Sequence, residues 1–249
     1  MLTLFISDLH LEEKRPDITE ALLRFLRERA PQADALYILG DFFEAWIGDD
    51  EHTPLQETIA QALRAVSDRG VKLFLMHGNR DFLIGEDFCE RIGAELLPDP
   101  TVIDLHGRPT LLMHGDSLCT ADVEYQKFRA NMRNPQWQEV FLKRPLADRQ
   151  QVARQLREIS MAKNKGKQEF IMDVTQEEVE RVMDDANVQW LIHGHTHRPA
   201  VHTVSLKNGE GTRMVLGDWD GSVWWIEARD QEVPELLEEP FQTGEKQGS

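Results

Sequence analysis

Residues 2–10 read Leu2-Thr3-Leu4-Phe5-Ile6-Ser7-Asp8-Leu9-His10. The apolar run is too short for a helix and reads as a buried strand, and it closes on a serine, a carboxylate and an imidazole. The same phrase recurs four times. Ala35–Leu39 closes on Gly40-Asp41-Phe42-Phe43-Glu44, and Val71–Met76 on His77-Gly78-Asn79-Arg80-Asp81. Thr110–Met113 closes on His114-Gly115-Asp116, and Gln189–Ile192 on His193-Gly194-His195-Thr196-His197. Helical spacings separate the first three runs: Ile18, Leu22, Leu23, Phe25 and Leu26 behind Pro16, then Leu55–Val66, with a third helix over Gly85–Ile92. A β-α-β-α-β-α order favours a mostly parallel sheet with helices on its faces. Val102–Leu105 and Thr110–Met113 read as a hairpin about His106-Gly107-Arg108-Pro109.

In a parallel sheet the carboxyl ends of the strands converge on one edge, where ligands bind. Asp8, His10, Asp41, Asn79, His114, His195 and His197 can therefore meet in one crevice. Carboxylate, imidazole and amide oxygen without thiolate suit Mn, Fe, Co, Ni, Zn or Mg. Seven groups exceed the needs of one catalytic metal and suffice for two that share a carboxylate. Such a pair clamps a phosphoester and makes hydroxide from water at neutral pH. Asp8-x-His10 and His195-x-His197 each place both members on one side if the backbone is extended. Gly40, Gly78, Gly115 and Gly194 let backbone pass close to the metals. Singly, each Asp reads equally as a turn former and each His as a hydrogen-bonded core residue. His52, His77, His106 and His202 lie outside or beside the pattern and are expected to be structural.

The pattern changes near residue 120. Residues 121–170 read as nearly all helix, punctuated by Pro135 and Pro145, with 11 Lys or Arg against six Asp or Glu. That net of +5 sits in a chain of −16, so the remainder carries −21. A cationic segment in an anionic protein suggests a local anion-binding surface. A helix over Glu177–Met183 and strands at Gln189–Ile192, Ala200–Leu206, Met214–Leu216 and Ser222–Ala228 follow. The tail from Asp230 has six acidic residues and one lysine and is expected to be poorly ordered. Composition excludes several classes. An apolar fraction of 41% excludes a disordered acidic protein, and the net charge argues against a nucleic-acid coat. Two cysteines, Cys89 and Cys119, offer no disulfide framework, which fits a reduced, cytosolic setting. No basic leader precedes Leu2, and no apolar stretch approaches the ~20 residues of a membrane span.

Taken in chain order from Asp8 to His197, these motifs resemble the calcineurin-like metallophosphoesterases. The resemblance implies an α/β fold, a four-layer α-β-β-α sandwich of residues 1–120 and 171–229. It also implies a helical lid insertion over 121–170, and composition adds an acidic, flexible tail over 230–249. It implies two divalent metal ions, Mn²⁺ as the typical choice: Asp8, His10 and His197 hold one, Asn79, His114 and His195 the other, and Asp41 bridges them. One departure is informative. The broad family has His after the Asn, and this chain has Arg80. Arginine cannot give up its proton at useful rates but holds phosphate oxygens with two parallel hydrogen bonds. A leaving group that needs little protonation, such as a phosphate within a pyrophosphate, is expected.

Ser-Asp-Leu-His-Leu at 7–11, Gly-Asp-Phe-Phe-Glu-Ala-Trp at 40–46 and His-Gly-Asn-Arg-Asp-Phe-Leu at 77–83 resemble one branch of that family. This branch hydrolyses UDP-2,3-diacylglucosamine to UMP and 2,3-diacylglucosamine 1-phosphate in bacterial lipid A synthesis, by attack at the α-phosphorus. The resemblance implies substrate contacts from Asn79, Arg80, Asp122, Ser160, Asn164, Lys167 and His195, and catalytic roles for Asp41, Arg80 and His195. It implies a lipid-linked nucleotide sugar as partner, no nucleic acid, and a monomer peripheral on the cytoplasmic side of the inner membrane. On spacing alone, Ser160, Asn164 and Lys167 share one helix face, which reads equally as a solvated surface. Phe82, Leu83, Phe128, Met132, Phe141, Ile171 and Met172 are candidates for an acyl chamber between lid and core. The rivals are another phosphoesterase on the same centre, which Arg80 weighs against, and a non-catalytic scaffold, which should have lost its ligands.

Overall fold

The computed structural model describes residues 1–164 and 173–241. Strands β1 (Leu2–Ile6), β2 (Ala35–Leu39), β3 (Lys72–Met76) and β4 (Ala94–Leu97) run parallel. They are joined through α1 (Pro16–Glu28), α2 (Pro54–Ser67) and α3 (Glu86–Ile92). Pro16 opens α1, a reciprocal Thr53–Gln56 capping box opens α2, and Gly93 in the left-handed conformation closes α3. A hairpin of β5 (Thr101–Leu105) and β6 (Arg108–Leu112) follows. The insertion forms α4 (Val123–Met132), α5 (Pro135–Leu142) and α6 (Leu146–Asn164). Then come α7 (Gln176–Asp185), β7 (Trp190–His193), β8 (Ala200–Leu206), β9 (Gly209–Val215), β10 (Ser222–Arg229) and β11 (Glu235–Pro240).

Two sheets result, in the orders β11-β10-β1-β2-β3-β4 and β5-β6-β7-β9-β8. Strand alternation sorts their side chains into layers. Leu2, Leu4 and Ile6 join Leu22, Phe25 and Leu63 on the face covered by α1–α3. Phe5 turns the other way, into a cluster with Leu39, Leu112, Ile192 and Met214 between the sheets. Leu111, Leu191 and Val204 pack with Val179 and Met183 of α7 on the far face. These are the expected α-β-β-α layers.

Two local readings change. The hairpin turn is His106-Gly107 alone, with φ 54° and 84°, and Arg108 already pairs with Leu105. Pro109 fits inside β6 because pairing with β7 begins only at Thr110. Residues 235–240, placed by composition in a disordered tail, form β11 against β10, with Leu236 and Leu237 packing toward opposite faces of the sheet. Their glutamates lie on a sheet edge, where charge discourages pairing with other chains.

Candidate metal centre

The carboxyl ends of β1, β2, β3, β6 and β7 meet along one edge where the two sheets abut. Asp8, His10 and His197 form one cluster and Asp41, His114 and His195 a second, the ligand atoms of each lying within 4.8 Å of one another. Asn79 Oδ1 lies 3.0 Å from His114 Nε2. Asp41 sits between the clusters, with Oδ2 3.7 Å from His10 Nε2 and Oδ1 3.7 Å from His114 Nε2. The backbone here is not extended, contrary to the sequence expectation. Asp8, His10, Asp41, His195 and His197 take φ between 48° and 67°, a left-handed conformation that non-glycine residues rarely adopt. With left-handed turns at both positions, His195 enters one cluster and His197 the other. Tertiary hydrogen bonds hold the turns, Asp8 N–H to Gly40 O at 3.1 Å and His10 N–H to Asp41 O at 2.9 Å. The glycines make room for the carboxylates themselves: a Cβ on Gly194 would stand 2.1 Å from Asp8 Oδ2, and one on Gly78 would stand 2.2 Å from Asp41 Oδ1.

The outward nitrogens of three imidazoles are engaged. His114 Nδ1–H donates to Leu39 O at 2.8 Å, His10 Nδ1 lies 2.8 Å from Glu44 Oε2, and His197 Nδ1 lies 3.4 Å from Asp218 Oδ2. Each partner turns the Nε2 lone pair inward. There His10 Nε2 and His197 Nε2 approach to 3.2 Å, and Asp8 Oδ1 is buried with no hydrogen-bond donor. Acceptors facing acceptors require a proton or a cation between them. Burial would depress His114 and His197, but the former's Asp41 and Asp8 and the latter's Asp218 and Asp8 hold them up at about 9 and about 10. Burial and the neighbouring His114 instead push His195 down to about 4. Burial raises Asp41 above the ordinary carboxylate range against the pull of His114 and His10, with Asp81 and Asp8 adding to the rise. This hard oxygen and imidazole set, with its orphaned carboxylate oxygen, fits divalent cations.

Asp81 received no role from the sequence. It is fully buried, and its carboxylate accepts from the backbone N–H groups of Gly78 (2.8 Å), Phe42 (2.7 Å), Asp41 (3.3 Å) and Phe43 (3.3 Å). It thereby locks the loop carrying Asn79 to the loop carrying Asp41. Asp81→Ala should cost about 3 kcal/mol in denaturant unfolding, because it strands several buried donors. A loss under about 1 kcal/mol would contradict that role.

A cleft of about 450 Å³ opens beside Asn79 and Arg80. Trp46, Ile47, Phe82 and Leu83 form its core wall, and Phe128, Trp137, Phe141 and Leu156 its insertion wall. Phe82, Leu83, Phe128 and Phe141 were expected there; Met132 is not among the lining residues. Asp122 caps α4, accepting from Tyr125 N–H at 3.1 Å, and does not line the cleft. Ser160 and Asn164 belong to the α6 backbone, and Lys167, Ile171 and Met172 lie outside the described residues. Some of the insertion's cationic side chains pair with the core. Arg129 donates to Asp116 at 2.7 Å, Arg149 to Asp50 at 2.7 Å and Arg157 to Glu12 at 3.1 Å, so these three arginines dock the insertion on the acidic core.

The family model for calcineurin-like phosphoesterases matches residues 1–199. A Marinobacter nauticus protein named UDP-2,3-diacylglucosamine hydrolase is 68% identical, covering 97% of this chain and 99% of its own. Proteins of the same name from Pseudomonas aeruginosa and Hahella chejuensis are 58% and 57% identical, covering 91% and 90% of this chain and 95% and 92% of theirs. With the layered fold and the clustered strand-end ligands, these matches show that the chain belongs to the calcineurin-like phosphoesterase family.

Proposed function

We propose that this chain hydrolyses the pyrophosphate of UDP-2,3-diacylglucosamine at its α-phosphorus, releasing UMP and 2,3-diacylglucosamine 1-phosphate (lipid X). The observation that carries this reading is the apolar cleft opening directly on Asn79 and Arg80, beside Asp41. An amphiphile with a pyrophosphate head fits such a site, with acyl chains against Trp46, Phe82 and Phe141. The names of the relatives support the same substrate.

Asp8, His10, Asp41 and His197 would hold one divalent cation, and Asp41, Asn79, His114 and His195 the other, Mn²⁺ being the choice the resemblance implies. Bound there, the cations supply Lewis acidity toward phosphoryl oxygens and lower the pKa of water. Arg80 holds phosphate oxygens and stabilises charge on the leaving group. His195, kept neutral by burial, offers a lone pair rather than a proton. The resemblance adds Asp122, Ser160, Asn164 and Lys167 to the sugar and nucleotide contacts. The chain works as a monomer, peripheral on the cytoplasmic side of the inner membrane, with 121–170 as a lid on the core of 1–120 and 171–229. Val123, Phe128, Val140 and Leu142 are exposed on the insertion, which supports a lipid-facing surface. No helix of the described residues is long and apolar enough to cross a membrane.

Steady-state kinetics on UDP-2,3-diacylglucosamine, its deacylated form, UDP-glucose and cyclic AMP test the reading. Removing both acyl chains should lower kcat/KM about 10³-fold, since a few buried methylenes are worth about 4 kcal/mol. In ¹⁸O water the label should appear in UMP. Equal efficiency on the deacylated sugar nucleotide would defeat the lipid part of the assignment, and label in the sugar phosphate would move the attack to the β-phosphorus.

A further inference from the structure

Glu44 belongs to none of the ligand sets above, yet its carboxylate faces both sides of the site. Backbone bonding places it: Leu11 N–H donates to Phe42 O at 3.0 Å and Glu44 N–H to Leu11 O at 3.2 Å, stitching the loop after β2 to the loop after β1. The side chain is 14% exposed. Oε2 lies 2.8 Å from His10 Nδ1, while Oε1 lies 3.3 Å from Arg157 Nε of α6 and 3.9 Å from Arg80 Nη1. One oxygen thus meets an imidazole of the Asp8–His10–His197 cluster. The other meets the two arginines at the mouth of the apolar cleft.

We propose that Glu44 is a positioning residue: one carboxylate oxygen orients His10 for cation binding, and the other seats the insertion by pairing with Arg157. The physical reason is the two-sided geometry of a carboxylate. Accepting from Nδ1–H selects the His10 tautomer whose Nε2 lone pair points inward toward His197 and Asp41. The second oxygen stays available to a guanidinium, so the same side chain ties α6 to the loops that carry the ligands. Glu12 meets Arg157 Nη1 at 3.1 Å and supplies a neighbouring carboxylate on the same arginine, outside the ligand sets. The inference rests on the two-cation reading of the centre.

The two roles separate experimentally in chelator-stripped full-length protein, with thermal unfolding confirming that each variant folds. Mn²⁺ is titrated in and free Mn²⁺ is followed by electron paramagnetic resonance. Glu44→Ala should weaken binding about 10–100-fold, the usual effect of losing a carboxylate behind a histidine ligand. Glu44→Gln, whose amide oxygen accepts the same Nδ1–H bond, should recover most of that affinity. Glu12→Gln should bind as the wild type does. Hydrogen exchange of the α6 amides around Arg157 reads the other arm. It should quicken about fivefold in Glu44→Gln, as expected for losing a partly buried ion pair. Wild-type Mn²⁺ affinity in Glu44→Ala, a Gln variant as weak as Ala, or unchanged exchange in Glu44→Gln would each overturn the inference. A wild-type chain that binds no Mn²⁺ at all would overturn the two-cation reading instead.

Discussion

Asp41→Asn is expected to lower turnover at least about 10³-fold and to reduce the cations retained per chain from two to one or fewer. Asp41 is the side chain placed between the clusters, 3.7 Å from His10 Nε2 through one oxygen and 3.7 Å from His114 Nε2 through the other. An amide has one oxygen and no charge, so it can satisfy one side only. Charge stabilisation by a cation pair is worth several kcal/mol, and each 1.36 kcal/mol is tenfold in rate. The variant should still fold. Asn keeps an acceptor for the Arg80 N–H, bonded at 2.8 Å, and it removes a buried charge next to Asp8 and Asp81. Chelated wild type and variant should therefore unfold at similar temperatures, while added Mn²⁺ stabilises the wild type more. Metal content by elemental analysis with a turnover assay checks both parts. Two cations per chain with near wild-type kcat would remove Asp41 from its bridging role.

Arg80→Ala should cost about 10²–10³ in kcat, as does the loss of one preorganised charge-stabilising donor elsewhere. The Arg80 N–H is fixed on Asp41 Oδ1, so its side chain leaves the backbone next to the carboxylate that lies between the two clusters. Its side chain is 26% exposed and its guanidinium lies 3.9 Å from Glu44 Oε1, a loose tether that leaves its fork free for phosphate oxygens. Arg80→Lys should recover only part of the loss, since an ammonium restores charge without the two-pronged geometry. Mn²⁺ content should match the wild type in both variants, which separates a phosphate-holding role from damage to the centre. A kcat within about threefold of wild type in Arg80→Ala would leave the departure from the family's His without a catalytic meaning.

The strand-end phrases were legible because each joins a run that must be buried to a polar group that does not belong in a core. Asp8, Asp41, Asn79, His114 and His195 stand out for that reason. Other parts were hidden by their chemistry. Glu44, Asp81 and Asp218 act on the centre through hydrogen bonds to backbone or to imidazole nitrogens, and an acidic residue in a loop carries no mark of such a partner. Strand β11 was hidden by its glutamates, which composition assigns to solvent although a sheet edge accepts them. The pairing of Arg149 and Arg157 with the core was not legible, because their partners Asp50 and Glu12 lie far away in the chain.

By itself the sequence determined an α/β plan with parallel strands and covering helices, the helical insertion and the set of side chains able to grip cations. Burial period, helix punctuation and residue chemistry are local properties. Local patterning could not say which imidazole joins which cluster, which the resemblance alone implied, and where the apolar cleft lies was decided only by the tertiary structure. Left-handed turns at Asp8, His10, Asp41, His195 and His197 set those directions. Such turns are unfavourable in an isolated chain and persist only where hydrogen bonds from a neighbouring strand end hold them.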